Sequence, residues 1–249
     1  MLLDNHLAVI TGAASARGIG SATARLMMQH GARVAILDTD QDALDSTCES
    51  LGDGAHGYRC DVTDWTATRA CFQRIAQDLG PPDTLVNNAG ITQPKGLLEI
   101  EEDDFDAVVG VNLKGTFFCT KAVLPYMQER GRGSVINMSS VSAERGGGIF
   151  GGPHYSAAKA GVLGLMRAVA RNHAREGIRC NAVAPGFIET DITAGKLSAE
   201  QHQGIRESIP AGRTGSPEDV ARICVFLASE LSEYVTGEVV DVNGGMHID

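Results

Sequence analysis

Short apolar runs suited to β-strands alternate with longer helical stretches over all 249 residues, and this alternation narrows the possible folds more than any other feature. The strand-like runs are Leu7 to Thr11, Arg33 to Asp38, Gly57 to Cys60, Thr84 to Asn87, Ser134 to Met138, Arg179 to Ala184 and Val239 to Val242. Several of them lack a polar/apolar alternation, as expected of strands covered on both faces. The segments between them, such as Ile19 to His30 and Ala157 to Arg175, carry helical periodicity. Strand, helix, strand repetition demands right-handed crossovers, so the expected class is α/β, a doubly wound parallel sheet with helices on both faces. The hydrophobic content of 43% can fill one substantial core. No linker, low-complexity tract or internal repeat divides the chain, so residues 1–249 read as a single domain.

Composition removes several functions. The formal net charge is -10 and no basic block occurs, which argues against nucleic acid as a partner. The cysteines (Cys48, Cys60, Cys71, Cys119, Cys180 and Cys224) are scattered, without a C-x-x-C pair or a histidine spaced for zinc. They read as reduced buried residues, and no metal is expected. Leu7 to Thr11 already reads as a strand with acidic Asp4 before it, so no signal peptide is expected. No apolar run is expected to span a membrane, which leaves the cytoplasm as the expected location.

The segment from Thr11 to Gly20 follows the first strand and opens the first helix. Its glycines Gly12, Gly18 and Gly20 let backbone approach a pyrophosphate at a positive helix N-terminus. Ser15, Arg17 and Ile19 share that turn and are expected to join the contacts. The second strand ends in Asp38, twenty residues after Gly18, where a carboxylate can accept hydrogen bonds from the adenosine ribose. Asp38 would repel a 2′-phosphate, whereas Arg17 could meet one. Asp38 carries more weight, so NAD is expected over NADP. The competing structural role for Asp38 is to cap a helix over Gln41 to Leu51.

These landmarks, with Asp61-Val62, Asn87 to Gly90, Asn112, Ser139-Ser140, Tyr155 to Lys159, Pro185-Gly186 and Asn243 to Gly245, resemble the short-chain dehydrogenase/reductase family over essentially the whole length. The resemblance implies a Rossmann-type fold of about seven strands, NAD(P) chemistry on a small-molecule substrate, and a homodimer or homotetramer. It places Asp61 on the adenine amino group and Val62 against the ring, and it puts Asn88, Ala89 and Gly90 on the adenosine side. Pro185, Gly186, Ile188 and Thr190 would border the nicotinamide. Asn87 is as well explained as a buried amide tying strands together. Asn112 would interrupt a helix and hold a water linking the lysine to solvent.

Tyr155 and Lys159 stand four apart in a helical stretch and so share a face. A free tyrosine is a poor base at neutral pH, and a nearby ammonium, aided by the positive nicotinamide of NAD+, favours its phenolate. Tyr155 can then exchange a proton with the substrate oxygen; the family places Lys159 on the nicotinamide ribose as well. Ser140 is the expected partner that steadies the oxygen. The family's usual serine precedes the tyrosine by thirteen positions, which would select Ser142, whereas Ser140 precedes it by fifteen. Ser140 is favoured because a strand end holds geometry better than a loop length does.

Substrate choice is expected in two places: the glycine-rich stretch from Ala143 to His154, and a polar lid over residues 190–210. Neither displays a continuous apolar wall. Arg145 could receive a polar or anionic group, and Phe150 and His154 could wall the pocket. The expectation is a small polyol or sugar derivative. The main rival is a 3-oxoacyl-thioester reductase, a class that usually prefers NADPH; a non-catalytic NAD sensor is a further alternative. The segments from Val220 to Ala228 and Val239 to Val242 resemble those that pair family subunits.

Overall fold

A computed structural model describes residues 1–148, 150–191, 193 and 195–248. Ile149, Ile192, Ala194 and Asp249 therefore lie outside the described residues, including parts of both expected substrate segments. Seven parallel strands form one sheet in the order β3-β2-β1-β4-β5-β6-β7. They are β1 (Leu7–Thr11), β2 (Arg33–Asp38), β3 (Ala55–Arg59), β4 (Thr84–Asn87), β5 (Gly133–Met138), β6 (Ile178–Pro185) and β7 (Val239–Val242). The chain is a single doubly wound α/β domain, as its alternation implies.

Both faces of the sheet are covered, which explains the continuous apolar runs. Leu7 and Val9 of β1 enter one core with Phe72, Ile75, Val123 and Met166. Those side chains come from α3 (Trp65–Leu79), α5 (Thr116–Arg130) and α7 (Pro153–His173). The alternate residues Ala8 and Ile10 enter the other core with Met27, Leu44 and Cys224. These belong to α1 (Ile19–Gln29), α2 (Gln41–Leu51) and α9 (Pro217–Ala228). All six cysteines are free, and all but the half-buried Cys48 are buried.

Three expectations shift. Strand β3 begins two residues before the expected Gly57, at Ala55-His56, because this edge strand pairs only with β2 and its side chains are partly solvated. Helix α7 begins at Pro153 rather than Ala157, since proline at the first helical position loses no intrahelical bond. Residues Glu102–Arg130 form a helix long and apolar enough by length and composition to cross a membrane, contrary to the expected absence of such a run. That helix comprises α4 (Glu102–Val109), a π-helical turn (Gly110–Gly115) and α5, and it buries Val108, Ala122 and Val123 in the domain.

The sheet order reverses between β1 and β4, which are neighbours although far apart in sequence. Chains leaving the ends of these strands diverge and open a crevice at the carboxyl edge, the usual ligand position in such sheets.

Candidate active site

A cavity of about 470 Å³ occupies that crevice, reaching from Asp38 to Phe150. All the expected site residues border it except Arg17 and Gly20. Gly12 has φ +63°, and a Cβ there would stand 2.6 Å from Ala89 Cα, so the turn after β1 can close on the chain after β4 only with glycine. Asn88 fastens that closure: its Nδ2 donates to Thr11 O at 2.9 Å and Gly12 O at 2.8 Å. Gly20 serves the same packing, since a Cβ would lie 2.7 Å from Asn88 Nδ2. Asn87 does not border the cavity. Its Nδ2 donates to Thr120 Oγ1 and Asn137 Oδ1, both at 2.9 Å, as the tie between strands.

At the end of the cavity beside β2, Asp38 is not a helix cap; Asp40 caps α2 by accepting from Ala43 N. Asp38 instead accepts from Thr39 N at 2.8 Å and from Ala14 N at 3.2 Å, which sets its carboxylate at the rim of the cavity. Asp61 is oriented by bonds from Thr63 N and Thr63 Oγ1. Arg17 departs from expectation. Its Nε donates to Asp191 Oδ1 at 2.7 Å, and it lines a neighbouring cleft rather than the cavity beside Asp38.

The other end gathers the proton-transfer set. The π-helical turn carries Asn112, whose Nδ2 donates to Val108 O and Ile91 O, both at 2.8 Å. Its buried Oδ1 has no hydrogen-bond partner among the described residues. A Cβ at Gly90 would stand 2.8 Å from that oxygen and 3.5 Å from Lys159 Nζ, so Gly90 leaves room for both groups. Lys159 is buried; its Nζ donates to Met138 O at 2.8 Å and lies 5.7 Å from the centre of the Tyr155 ring. Gly151 packs on that ring, where a Cβ would come within 2.8 Å.

Ser140 ends the chain after β5 and caps the short helix α6 (Val141–Arg145), its Oγ accepting from Ser142 N at 3.1 Å. The Ser140 hydroxyl hydrogen-bonds the Tyr155 phenol and borders the cavity. Ser142 is buried and does not border the cavity. Burial raises the Tyr155 pKa, with the Ser140 bond pulling the other way and no lowering by Lys159. Burial also pushes the Lys159 ammonium down to about 8. In the protein alone, desolvation of both groups outweighs their mutual attraction.

The substrate side is assembled from segments distant in sequence. Thr92 Oγ1 donates to Phe150 O, and Gly152 N donates to Gln93 O at 3.0 Å, fastening the glycine-rich stretch over the cavity. Phe150 then meets Phe187 with ring centres 6.0 Å apart, and Phe187 meets His202 of α8 (Ala199–Ser208) at 6.1 Å. The pocket therefore has the apolar wall that neither segment displays alone. Arg145 is exposed and does not border the cavity. His154 is buried against Gln93 and does not border it either. Phe187 escaped the sequence reading, although its place beside Pro185-Gly186 was a usable signal.

A family model described as enoyl-(acyl carrier protein) reductase matches residues 12–247. An uncharacterised short-chain type dehydrogenase/reductase of Sinorhizobium fredii is 53% identical, with 100% of both chains covered. The chain belongs to the short-chain dehydrogenase/reductase family. A 3-oxoacyl-[acyl-carrier-protein] reductase of Thermotoga maritima is 44% identical over 100% of both chains. A human (3R)-3-hydroxyacyl-CoA dehydrogenase is 43% identical, over 98% of this chain and 96% of its own. As a short-chain dehydrogenase/reductase, the protein is an oxidoreductase of CH–OH and keto groups that uses a nicotinamide cofactor. The glycine-built cradle at Gly12, which lines the cavity, suits such a cofactor.

Proposed function

We propose that the chain is an NAD(H)-linked oxidoreductase that interconverts 3-oxoacyl and 3-hydroxyacyl thioesters. The observation that carries this reading is the Phe150–Phe187 wall beside Tyr155, which suits an acyl chain and offers a polyol no hydrogen bond. Similarity to the Thermotoga 3-oxoacyl-[acyl-carrier-protein] reductase and the human (3R)-3-hydroxyacyl-CoA dehydrogenase supports it. Arg145, which could have received a polar substrate, stands away from the cavity, so the acyl reading is preferred to the expected polyol. Acetoacetyl-CoA with NADH should turn over while a polyol panel with NAD+ should not; faster polyol oxidation would overturn the substrate assignment.

When bound, the nicotinamide supplies or accepts the hydride. The chain's own residues handle the oxygen. Ser140 donates a hydrogen bond to the substrate oxygen, and Tyr155 passes its phenolic proton to that oxygen in reduction or takes it back in oxidation. Burial keeps the phenol protonated at neutral pH in the free protein, a state suited to reduction. Lys159 holds positive charge beside the ring and the nicotinamide ribose. Asn112 Oδ1 accepts from a water that links Lys159 to solvent. Gly12, Ser15, Gly18 and Ile19 would hold the pyrophosphate, Asp61 to Val62 and Asn88 to Gly90 the adenosine half, and Pro185, Gly186, Ile188 and Thr190 the nicotinamide. Ser140→Ala should lower kcat by about 10²-fold or more, the effect of removing one oxyanion donor. Ser142→Ala should stay within a few-fold, and the reverse order would transfer the role to Ser142.

The Asp38 carboxylate supports NAD over NADP, and the commitment of Arg17 to Asp191 adds to it. Asp38→Asn should shift the NADPH/NADH ratio of kcat/KM towards NADPH by about tenfold or more, because a like-charge clash is removed. A wild-type enzyme that already prefers NADPH would refute this assignment. The free cysteines fit a reducing compartment, the cytoplasm. We read the assembly as a homodimer or homotetramer; exposed Leu231 and Tyr234 close to α9 support it.

A further inference from the structure

We propose that Asp191 is a positioning residue that straps the segment after β6 onto the phosphate loop, and that this strap governs how fast the dinucleotide leaves. The inference rests on the NAD(H) reading above. One carboxylate collects three bonds from a loop more than 170 residues away: Ser15 Oγ donates to Oδ2 at 2.7 Å, Arg17 N to Oδ2 at 3.3 Å, and Arg17 Nε to Oδ1 at 2.7 Å.

The place of these bonds gives them consequence. Ser15 borders the cofactor-sized cavity from the loop, and Thr190, next to Asp191 in the chain, borders it from the far wall. The bonds therefore cross its rim. Gly18, Thr190 and Thr193 also border a second cleft of about 530 Å³, which Arg17, Arg25 and His202 line. The strap thus stands between two spaces, and opening it would join them.

Both ends of the strap are held. Ser15 O accepts from Ser21 Oγ at 2.6 Å and from Gly18 N at 3.0 Å, which fixes the bulge of the loop. On the other side, Thr193 Oγ1 donates to Thr190 O and accepts from Thr190 N, both at 3.0 Å. Thr214 Oγ1 donates to Glu189 Oε1 at 2.6 Å and anchors the base of the segment. Between these anchored ends the Arg17–Asp191 pair is exposed, with side-chain accessibilities of 69% and 43%. An exposed ion pair is a weak tie. It biases the segment towards closure yet can break once per turnover, as a moving lid requires. The bonds from Ser15 and Arg17 hold the Asp191 carboxyl below its ordinary range, so the tie stays ionised through neutral pH.

The test compares wild type with Asp191→Ala, Asp191→Asn, Arg17→Ala, Arg17→Lys and the double alanine variant. Amide exchange over residues 188–209 is read in the ligand-free protein, and NADH release is read by stopped-flow fluorescence. Asp191→Ala should release NADH roughly tenfold faster, raise KM for NADH by a similar factor and speed exchange in that segment, since an ion pair and a charge-assisted hydrogen bond go together. Exchange in β1 and β5 should not change, which checks the fold; Asp191→Asn serves if the alanine variant fails this check. Arg17→Ala should act in the same direction, Arg17→Lys should restore slow release, and the double variant should be no faster than Asp191→Ala. Release within twofold of wild type, or effects of the two residues that simply add, would overturn the strap. If the wild type binds neither NADH nor NADPH, the cofactor reading fails, while the exchange comparison still decides whether the strap exists.

Discussion

Tyr155→Phe should lower carbonyl reduction by about 10³-fold while leaving NADH affinity within a few-fold, because it removes one oxygen and little else. The ring packs on Gly151 and lies beside the Lys159 ammonium, and phenylalanine keeps both contacts. What is lost is the phenolic proton and the hydrogen bond with Ser140. His154 does not offer a substitute, since it is turned into the protein against Gln93. Steady-state kinetics with acetoacetyl-CoA, alongside NADH titration by fluorescence, separates chemistry from binding. Turnover above a tenth of wild type would remove Tyr155 from the proton-carrying role.

Lys159→Met should abolish most turnover and yet make the ligand-free protein more stable. The ammonium is buried and donates a hydrogen bond to Met138 O, and burial lowers its pKa from 10.5 to about 8. That difference corresponds to roughly 3 kcal/mol of destabilisation at neutral pH, reduced by about 1 kcal/mol for the hydrogen bond methionine cannot make. A rise in Tm of about 3 °C or more at pH 7 is expected. The sign follows from linkage. The folded pKa lies below the unfolded one, so the unfolded chain binds more protons between pH 8 and 10.5, and wild-type stability gains across that window. The advantage of the methionine variant should therefore be full below pH 8 and shrink from pH 8 to 10.5. Thermal unfolding at pH 7 and at high pH checks it. A variant less stable than wild type at pH 7 would show that burial does not penalise the ammonium. On this view the fold tolerates a buried cation because catalysis uses it.

Much of the scaffold was legible in the chain because local and global preferences agree. Strands β1, β2, β4 and β7 and helix α2 fall at the residues their patterns indicate. Misplacements came where a local signal was weak: β3, a polar edge strand, and the start of α7, hidden behind glycines and a proline. The orientation of Arg17 was not legible, because nothing in the loop announces that its partner is Asp191.

The sequence by itself determined the order of strands and helices, the glycine turn after β1, the acid at the end of β2, and the four-residue spacing that sets Tyr155 and Lys159 on one face of α7. All of these are encoded within a few turns of chain, where periodicity and backbone sterics act directly. Tertiary structure alone decided the rest. It joined Phe150 to Phe187 as an apolar wall, chose Ser140 over Ser142 as the neighbour of Tyr155, and drew Arg17 to Asp191. It also set the Tyr155 phenol above and the Lys159 ammonium below their ordinary pKa in the protein alone. Spacing can bring two side chains together, but the water stripped from them, which sets their charge, depends on everything the fold packs around them.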